Sequence, residues 1–213
     1  MMVLHGYFAS SASFRVRIAL NLKGIAVQHA SRHLRKGEHR APDYLALNPQ
    51  GFVPALVLED GRVLTQSLAI IEWLEATYPT PALLPSDEFI RAQVRAFAYI
   101  IACDIHPVQN LKVLNKVRKL AGDESAGQVW AKNVIEDGFD ACEQILQSAR
   151  TPFAFGEAPT LADVCLVPQL ANARRFKVDL DRYPRILEIE RNCQSLPAFI
   201  DAAPAKQADF DPA

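Results

Sequence analysis

What the chain lacks narrows its chemistry before any motif does. Of 213 residues only four are cysteines, the formal net charge is −1, and no apolar run reaches membrane-spanning length. A near-neutral balance removes the electrostatic case for a nucleic-acid partner or an anionic membrane surface. Cys103, Cys142, Cys165 and Cys193 are far apart and form no C-x-x-C or metal-ligand spacing, so neither a redox pair nor a metal centre is expected. Each lies among apolar or helical neighbours, where a thiol is expected to be buried and structural. There is no G-x-S-x-G, which argues against a nucleophilic serine. No internal repeat or low-complexity segment is present, and about the last ten residues read as frayed. The N-terminus shows no charged stretch followed by an apolar one, and a cytoplasmic protein is expected. If the reaction needs a sulfur nucleophile, the polypeptide does not obviously supply it.

What is present divides in two. Val3–Tyr7 reads as a first strand, followed by hydroxyl caps at Ser10, Ser11 and Ser13. Phe14, Ile18 and Leu22 then recur at helical spacing until Lys23-Gly24 ends the helix. Ile25-Ala26-Val27 can begin a second strand, and Asp43–Leu47 is a short helical piece closed by Asn48-Pro49-Gln50-Gly51. Two apolar runs, Val53–Leu58 and Arg62–Leu64, flank Glu59-Asp60-Gly61, a hairpin signal. Gln66–Tyr78 is a helix with Leu68, Ile71, Leu74 and Tyr78 along one stripe. The order β-α-β-α-β-β-α predicts a mixed sheet with flanking helices over residues 1–81. A proline-rich linker, Pro79–Asp87, follows. Beyond it, amphipathic stretches near 88–118, 126–149, 160–174, 182–193 and 195–203 predict an all-helical domain over residues 88–213.

Ser10 and Ser11 stand between a strand and a helix, where unpaired N–H groups and the helix dipole favour an anion. A serine there either caps the helix or donates to a thiolate and lowers the thiol's pKa below its reference of about 8.5. Val53-Pro54 opens the third strand; a cis bond there would turn the Val53 backbone toward a ligand's peptide group. Gln66-Ser67 is expected to cap the third helix and offers a second anion-friendly helix start. Asp104-Ile105-His106-Pro107 places a histidine and a proline inside a long helical pattern, where the proline should kink the helix. Thr160-Leu161-Ala162-Asp163 reads as a capping box. Arg174-Arg175 ends a helix, either complementing its dipole or clamping a carboxylate. Arg15 and Arg17 are expected in surface or interdomain salt bridges.

Ser10–Leu20 (SSASFRVRIAL) is similar to the S-S-C-S-x-R-V-R-I-A-L signature of zeta-class glutathione transferases. The resemblance continues through Ala46–Pro49, Val53-Pro54, Gln66–Glu72, Asp104–Pro107, Leu166–Gln169 and Arg175–Leu180, and covers nearly the whole chain. It implies a thioredoxin-like N-terminal domain that binds glutathione, an all-α C-terminal domain that binds substrate, and a homodimer. It implies that Ser10 and Ser11 face the glutathione sulfur, that Val53 pairs with its cysteinyl part, and that Gln66 and Ser67 hold its γ-glutamyl end. His39 falls where the family reaches the glycyl carboxylate. His106 and Asn110 match site-lining positions, and Arg175 an arginine that binds a substrate carboxylate. The implied activity is glutathione-dependent isomerisation of maleylacetoacetate to fumarylacetoacetate, with maleylpyruvate isomerisation or glutathione transfer to α-halo acids as alternatives. The chain departs from the pattern at Ala12, where the signature has cysteine, at Ala9, where an arginine is usual, and at Leu111, where relatives often carry a base.

Overall fold

A computed structural model describes residues 1–148 and 150–211. The elements run β1 (Val3–Gly6), α1 (Ser11–Leu22), β2 (Gln28–Ser31), α2 (Pro42–Leu47), β3 (Ala55–Val57), β4 (Val63–Thr65), α3 (Ser67–Thr77), α4 (Glu88–Tyr99), α5 (Leu111–Ala121), α6 (Ala126–Leu146), α7 (Leu161–Arg175), α8 (Pro184–Cys193) and α9 (Pro197–Ala202). The chain forms two compact units: Met1–Ala82 together with the described residues from Ser195 on, and Leu83–Gln194.

The first unit is thioredoxin-like. Its sheet has the order β2-β1-β3-β4, with β2 parallel to β1 and the other neighbours antiparallel. Gly61, at φ 84°, closes the hairpin between β3 and β4 where Asp-Gly predicted it. The second strand begins at Gln28, not in the apolar run Ile25–Val27; its largely exposed side chains are those of an edge strand, which hydrophobic patterning does not mark. Phe14, Val16, Ile18, Ala19 and Leu20 of α1 are buried, and so are Ile70, Ile71 and Leu74 of α3. Lys23, at the end of α1, is also buried: its Nζ donates to Glu75 (2.7 Å) and to the Tyr78 and Pro81 carbonyls (2.6 and 2.9 Å). These bonds tie down the start of the proline-rich segment.

Where the sequence reading assigns everything after residue 88 to the helical domain, α9 and the tail after it pack on the first unit, α9 lying along α1. Of the tail expected to fray, residues 212 and 213 lie outside the described residues, and the part before them is held. Asp209 and Phe210 both engage Phe8, the first by a hydrogen bond and the second edge to face. Arg15 and Arg17, expected in surface or interdomain salt bridges, are buried too. Arg17 spends its hydrogen bonds on main-chain carbonyls, those of Tyr7, Phe8 and Ala202.

The second unit is helical; its described residues hold one isolated β-bridge, Phe153 to Gly156, and no strand. Its central helix is α7, buried on all sides from Leu161 to Leu170, Asp163 and Gln169 included, and therefore without the exposed polar face of an amphipathic helix. The capping box forms: the fully buried Asp163 carboxylate accepts from Thr160 N and Ala154 N (2.8 Å each) and from Thr160 Oγ1 (3.0 Å). Glu143 of α6 accepts from the Arg185 and Ile186 N–H groups (2.9 Å each), which satisfies the first turn of α8. The expected long helix over 88–118 is broken. α4 runs into a π-helical segment, Ile100–Ile105, then a turn, and only then α5. Ile105 presses on Gly138 of α6 so closely that a Cβ at 138 would stand 2.3 Å from Ile105 Cδ1. Cys103 lies in this segment and is exposed, unlike the other three cysteines, which are buried as expected.

Candidate functional site

Strand register brings the marked segments of the first unit to one end of its sheet. β1 leads into the Tyr7–Ser10 turn, β4 leads into Gln66, and Val53 lies just before β3. Because His5 pairs with Ala55 and Ala55 with Thr65, the start of α1, Val53 and the start of α3 emerge side by side.

Ser10 is the N-cap of α1, its Oγ accepting from Ser13 N at 3.2 Å. That bond uses a lone pair and leaves the hydroxyl hydrogen to be donated, so capping and anion binding are compatible roles. Ser11, the first helical residue, is buried. Neither α1 nor α3 carries an acidic residue in its first turn, so neither helix dipole is already complemented there. Ser67 is buried and its Oγ accepts from Arg15 Nη1 at 3.4 Å, which sets a guanidinium beside the start of α3.

Gln66 does not cap α3 with its side chain, contrary to expectation. It sits at φ 68°, ψ 117°, in a region that an L side chain enters at a cost, and its amide donates to Gln50 Oε1 at 2.8 Å. Such strain gathers where a ligand-binding group must be aimed. Val53-Pro54 is cis. Val53 lies outside the ladder, and its N–H and C=O make no backbone hydrogen bond among the described residues. The carbonyl before it is held instead: Tyr44 Oη (2.5 Å) and Asn48 Nδ2 (2.7 Å) both donate to Phe52 O. Burial pushes the Tyr44 hydroxyl up to about 12, so it remains a donor at neutral pH. His39 lies in a short 3₁₀ turn whose backbone packs on Gly51; a Cβ at 51 would come within 2.9 Å of the His39 carbonyl oxygen, and φ there is 60°. Burial, and then the Arg40 charge, lower the His39 pKa, so its imidazole is neutral above the ordinary histidine range.

The candidates of the second unit occupy its irregular points. His106 follows the π-helical segment and donates its N–H to Ile101 O at 2.9 Å. Asn110 caps α5, its Oδ1 accepting from Val113 N at 3.2 Å, and leaves an amide NH₂ for other partners. Arg175 ends α7 with its guanidinium 5.5 Å from the Phe176 ring centroid. Its neighbour Arg174 is committed to the buried Glu190. Sequence reasoning missed the parts of Arg15, Tyr44 and Asn48. Each was visible only as an ordinary helix or turn residue, since its partner is set by tertiary packing.

All four cysteines lie in the second unit, and the first unit, which carries this end of the sheet, has none. Residue 12 is alanine, and burial raises the Cys142 thiol to about 12 and the Cys193 thiol further. Among the described residues no His/Cys/Asp/Glu cluster could hold a metal ion.

Residues 9–77 match the glutathione S-transferase N-terminal domain family and residues 112–189 its C-terminal domain family. The chain is 50% identical to a maleylpyruvate isomerase from a Ralstonia species, over 98% of this chain and 99% of that one. It is 48% identical to a maleylacetoacetate isomerase from Pseudomonas aeruginosa, over 98% of each. Among solved structures, a holo maleylpyruvate isomerase described as a bacterial zeta-class glutathione S-transferase superposes with a TM-score of 0.95 at 49% identity, covering 98% of this chain and 100% of that one. Another, maleylacetoacetate isomerase from Anaeromyxobacter dehalogenans with dicarboxyethyl glutathione and citrate in its active site, superposes with a TM-score of 0.90 at 40% identity, covering 100% and 94%. With matches across both units at these identities, the chain belongs to the glutathione S-transferase family, in the zeta-class group of maleylacetoacetate and maleylpyruvate isomerases.

Proposed function

We propose that the chain catalyses the glutathione-dependent cis–trans isomerisation of maleylacetoacetate to fumarylacetoacetate. The observation that carries this reading is the meeting of two helix N-termini without acidic first turns and the Val53 backbone at one sheet end. This arrangement fits an anionic tripeptide: backbone groups pair with a peptide unit, and helix starts take negative ends.

When bound, glutathione would supply a thiolate able to add to the maleyl double bond and, after rotation about the resulting single bond, to leave again as the double bond re-forms in the trans geometry. Ser10 and Ser11 donate to that sulfur and hold its proton off. Val53 pairs with the cysteinyl unit, Gln66 and Ser67 hold the γ-glutamyl end, and His39 stands on the glycyl side. Arg175 orients a substrate carboxylate, and His106 and Asn110 line the helical side. The serines stabilise charge through preorganised donors, and Arg175 contributes orientation. The first unit is thus the glutathione-binding half and the helical unit the substrate-binding half of a cytoplasmic homodimer. No described helix is long and apolar enough to cross a membrane. Dicarboxyethyl glutathione, held by the Anaeromyxobacter relative, is chemically a thiol adduct of a four-carbon unsaturated diacid, in keeping with this addition.

The 50% identity to the Ralstonia maleylpyruvate isomerase favours a second substrate, maleylpyruvate, handled by the same groups. Steady-state kinetics with both diacids and glutathione test the assignment. A higher kcat/KM for maleylacetoacetate is expected; a higher value for maleylpyruvate would transfer the assignment, and no turnover of either would refute it.

A further inference from the structure

The turn that carries Ser10 is held by residues that come from the far end of the chain. Phe8 N–H donates to Asp209 Oδ2 at 3.1 Å, across 201 positions, and Ser31 Oγ donates to the same oxygen at 2.9 Å. The Phe8 carbonyl accepts from Arg17 Nη2 (3.1 Å) and the Tyr7 carbonyl from Arg17 Nη1 (3.4 Å), while Arg17 Nε donates to Ala202 O (2.9 Å). Ser10 N in turn donates to Tyr7 O at 3.0 Å. Phe210 meets the Phe8 ring edge to face, with centroids 5.4 Å apart. The Phe8 N–H and both carbonyls of Tyr7-Phe8 are therefore engaged by Asp209 and Arg17, while the Tyr7 N–H donates to Ser13 Oγ of α1 at 3.4 Å. Burial lowers the Arg17 pKa to about 10 while Asp209 opposes that shift, in keeping with two charges that support one another.

We propose that Asp209 is a positioning residue for the thiolate site: by fixing the Phe8 N–H it sets the turn that presents Ser10 and Ser11 to the sulfur. The proposal rests on the reading of those serines as the sulfur-binding pair. It is not an electrostatic role. A carboxylate near the site opposes a thiolate through space, so Asp209 lowers the bound thiol's pKa only by holding the turn in place. Asp209→Asn keeps an oxygen able to accept from Phe8 N–H and Ser31 while removing the charge. Asp209→Ala removes the acceptor.

The test combines amide hydrogen exchange at Phe8 in the unliganded protein with an ultraviolet pH titration of the thiolate of bound glutathione. In Asp209→Ala, Phe8 should lose protection and the thiol pKa should rise by about one unit, roughly tenfold less thiolate well below that pKa. Glutathione affinity, which depends on Val53, Gln66 and Ser67, should stay within about threefold, equivalent to half a pKa unit. Asp209→Asn should keep the protection and leave the pKa unchanged or lower. Phe210 is partly exposed, so Phe210→Ala threatens folding little and should move both readouts in the direction of Asp209→Ala but by less. If Asp209→Ala does not fold, this second variant decides the matter. Unchanged protection and pKa in the variants, or an Asp209→Asn that matches Asp209→Ala, would overturn the proposal alone. Failure of the unsubstituted protein to bind glutathione would overturn the reading of the site, and the proposal with it.

Discussion

The two units present their candidate groups in different ways. In the first, the groups are largely backbone and helix ends: an N-cap, a residue outside the ladder, and a strained Gln66, all placed by strand register. In the second, they are side chains at places where helices stop: after a π-helical segment, at the N-cap of α5, and at the last residue of α7. The first kind of site meets a ligand largely through main chain and helix ends fixed by strand register, and suits one constant ligand. The second depends on individual side chains and suits a ligand that differs from relative to relative. On this view the first unit holds the common thiol, and the choice between diacids is made in the second.

The largest expected effect tests the first half of that contrast. Ser11→Ala should lower kcat by about 10²–10³, the loss typical of one preorganised donor to a developing anion. Its melting temperature should move little. Ser10→Ala should show a comparable activity loss and also cost about 1 kcal/mol of stability, because Ser10 is the α1 cap. Equal destabilisation by the two, with activity retained, would reduce both serines to structure.

Neighbouring arginines test the second half. Arg175→Ala should lower kcat/KM for the diacid by about tenfold to a hundredfold, the worth of about one charge-assisted hydrogen bond, while glutathione affinity stays unchanged. Arg174→Ala should leave substrate kinetics intact and reduce stability, since it strips the buried Glu190 of its partner. Reversed phenotypes would move the carboxylate clamp from one residue to the other.

Gln66→Gly sharpens the contrast by separating stability from binding. Glycine enters φ 68° without a Cβ, relieving strain of about 1–3 kcal/mol at an entropic cost of about 1 kcal/mol. Denaturant titration should find the variant as stable as the parent or more so, and calorimetry should find weaker glutathione binding. A less stable variant with unchanged affinity would remove Gln66 from the site.

The smallest effect expected is on pH dependence, and it belongs to the first unit. Burial holds His5, His29 and His39 below their ordinary pKa of 6.5 in the folded state. Above pH 6.5 neither folded nor unfolded chain binds these protons. As pH falls below 6.5 the unfolded chain binds them first, so stability declines through that window. Urea melts at pH 7.5 and 5.5 should show the loss; greater stability at pH 5.5 would contradict these shifts.

Features encoded locally were legible in the sequence. The Asp60-Gly61 hairpin, the Thr160–Asp163 capping box, the start of α1 and the Val53-Pro54 turn each depend on a few adjacent residues, and each formed where the sequence placed it. What failed was long-range. Pro107 marked an interruption in the 88–118 pattern but not its form, because the π-helical segment Ile100–Ile105 depends on Gly138 of α6, which makes room for Ile105. Arg15 and Arg17 read as members of surface or interdomain salt bridges because the partners they do have, Ser67 and the Tyr7, Phe8 and Ala202 carbonyls, come together only in the fold. The tail read as frayed because it is short and polar, and the contacts of its described part at Asp209 are with Phe8 and Ser31, far off in the sequence. Of the site, the first unit's segments were readable as motifs; their meeting at one sheet end needed the register.

The central claim is that the reacting sulfur is borrowed, since position 12 is alanine and the Cys142 and Cys193 thiols are buried with raised pKa values. Its most direct test is the rate of maleylacetoacetate isomerisation with and without glutathione, measured on the Cys103→Ser protein so that the exposed thiol is removed. Full turnover with glutathione and none above background without it is the expected result. Isomerisation that persists without glutathione, or that disappears with Cys103, would place the sulfur in the protein and contradict the account.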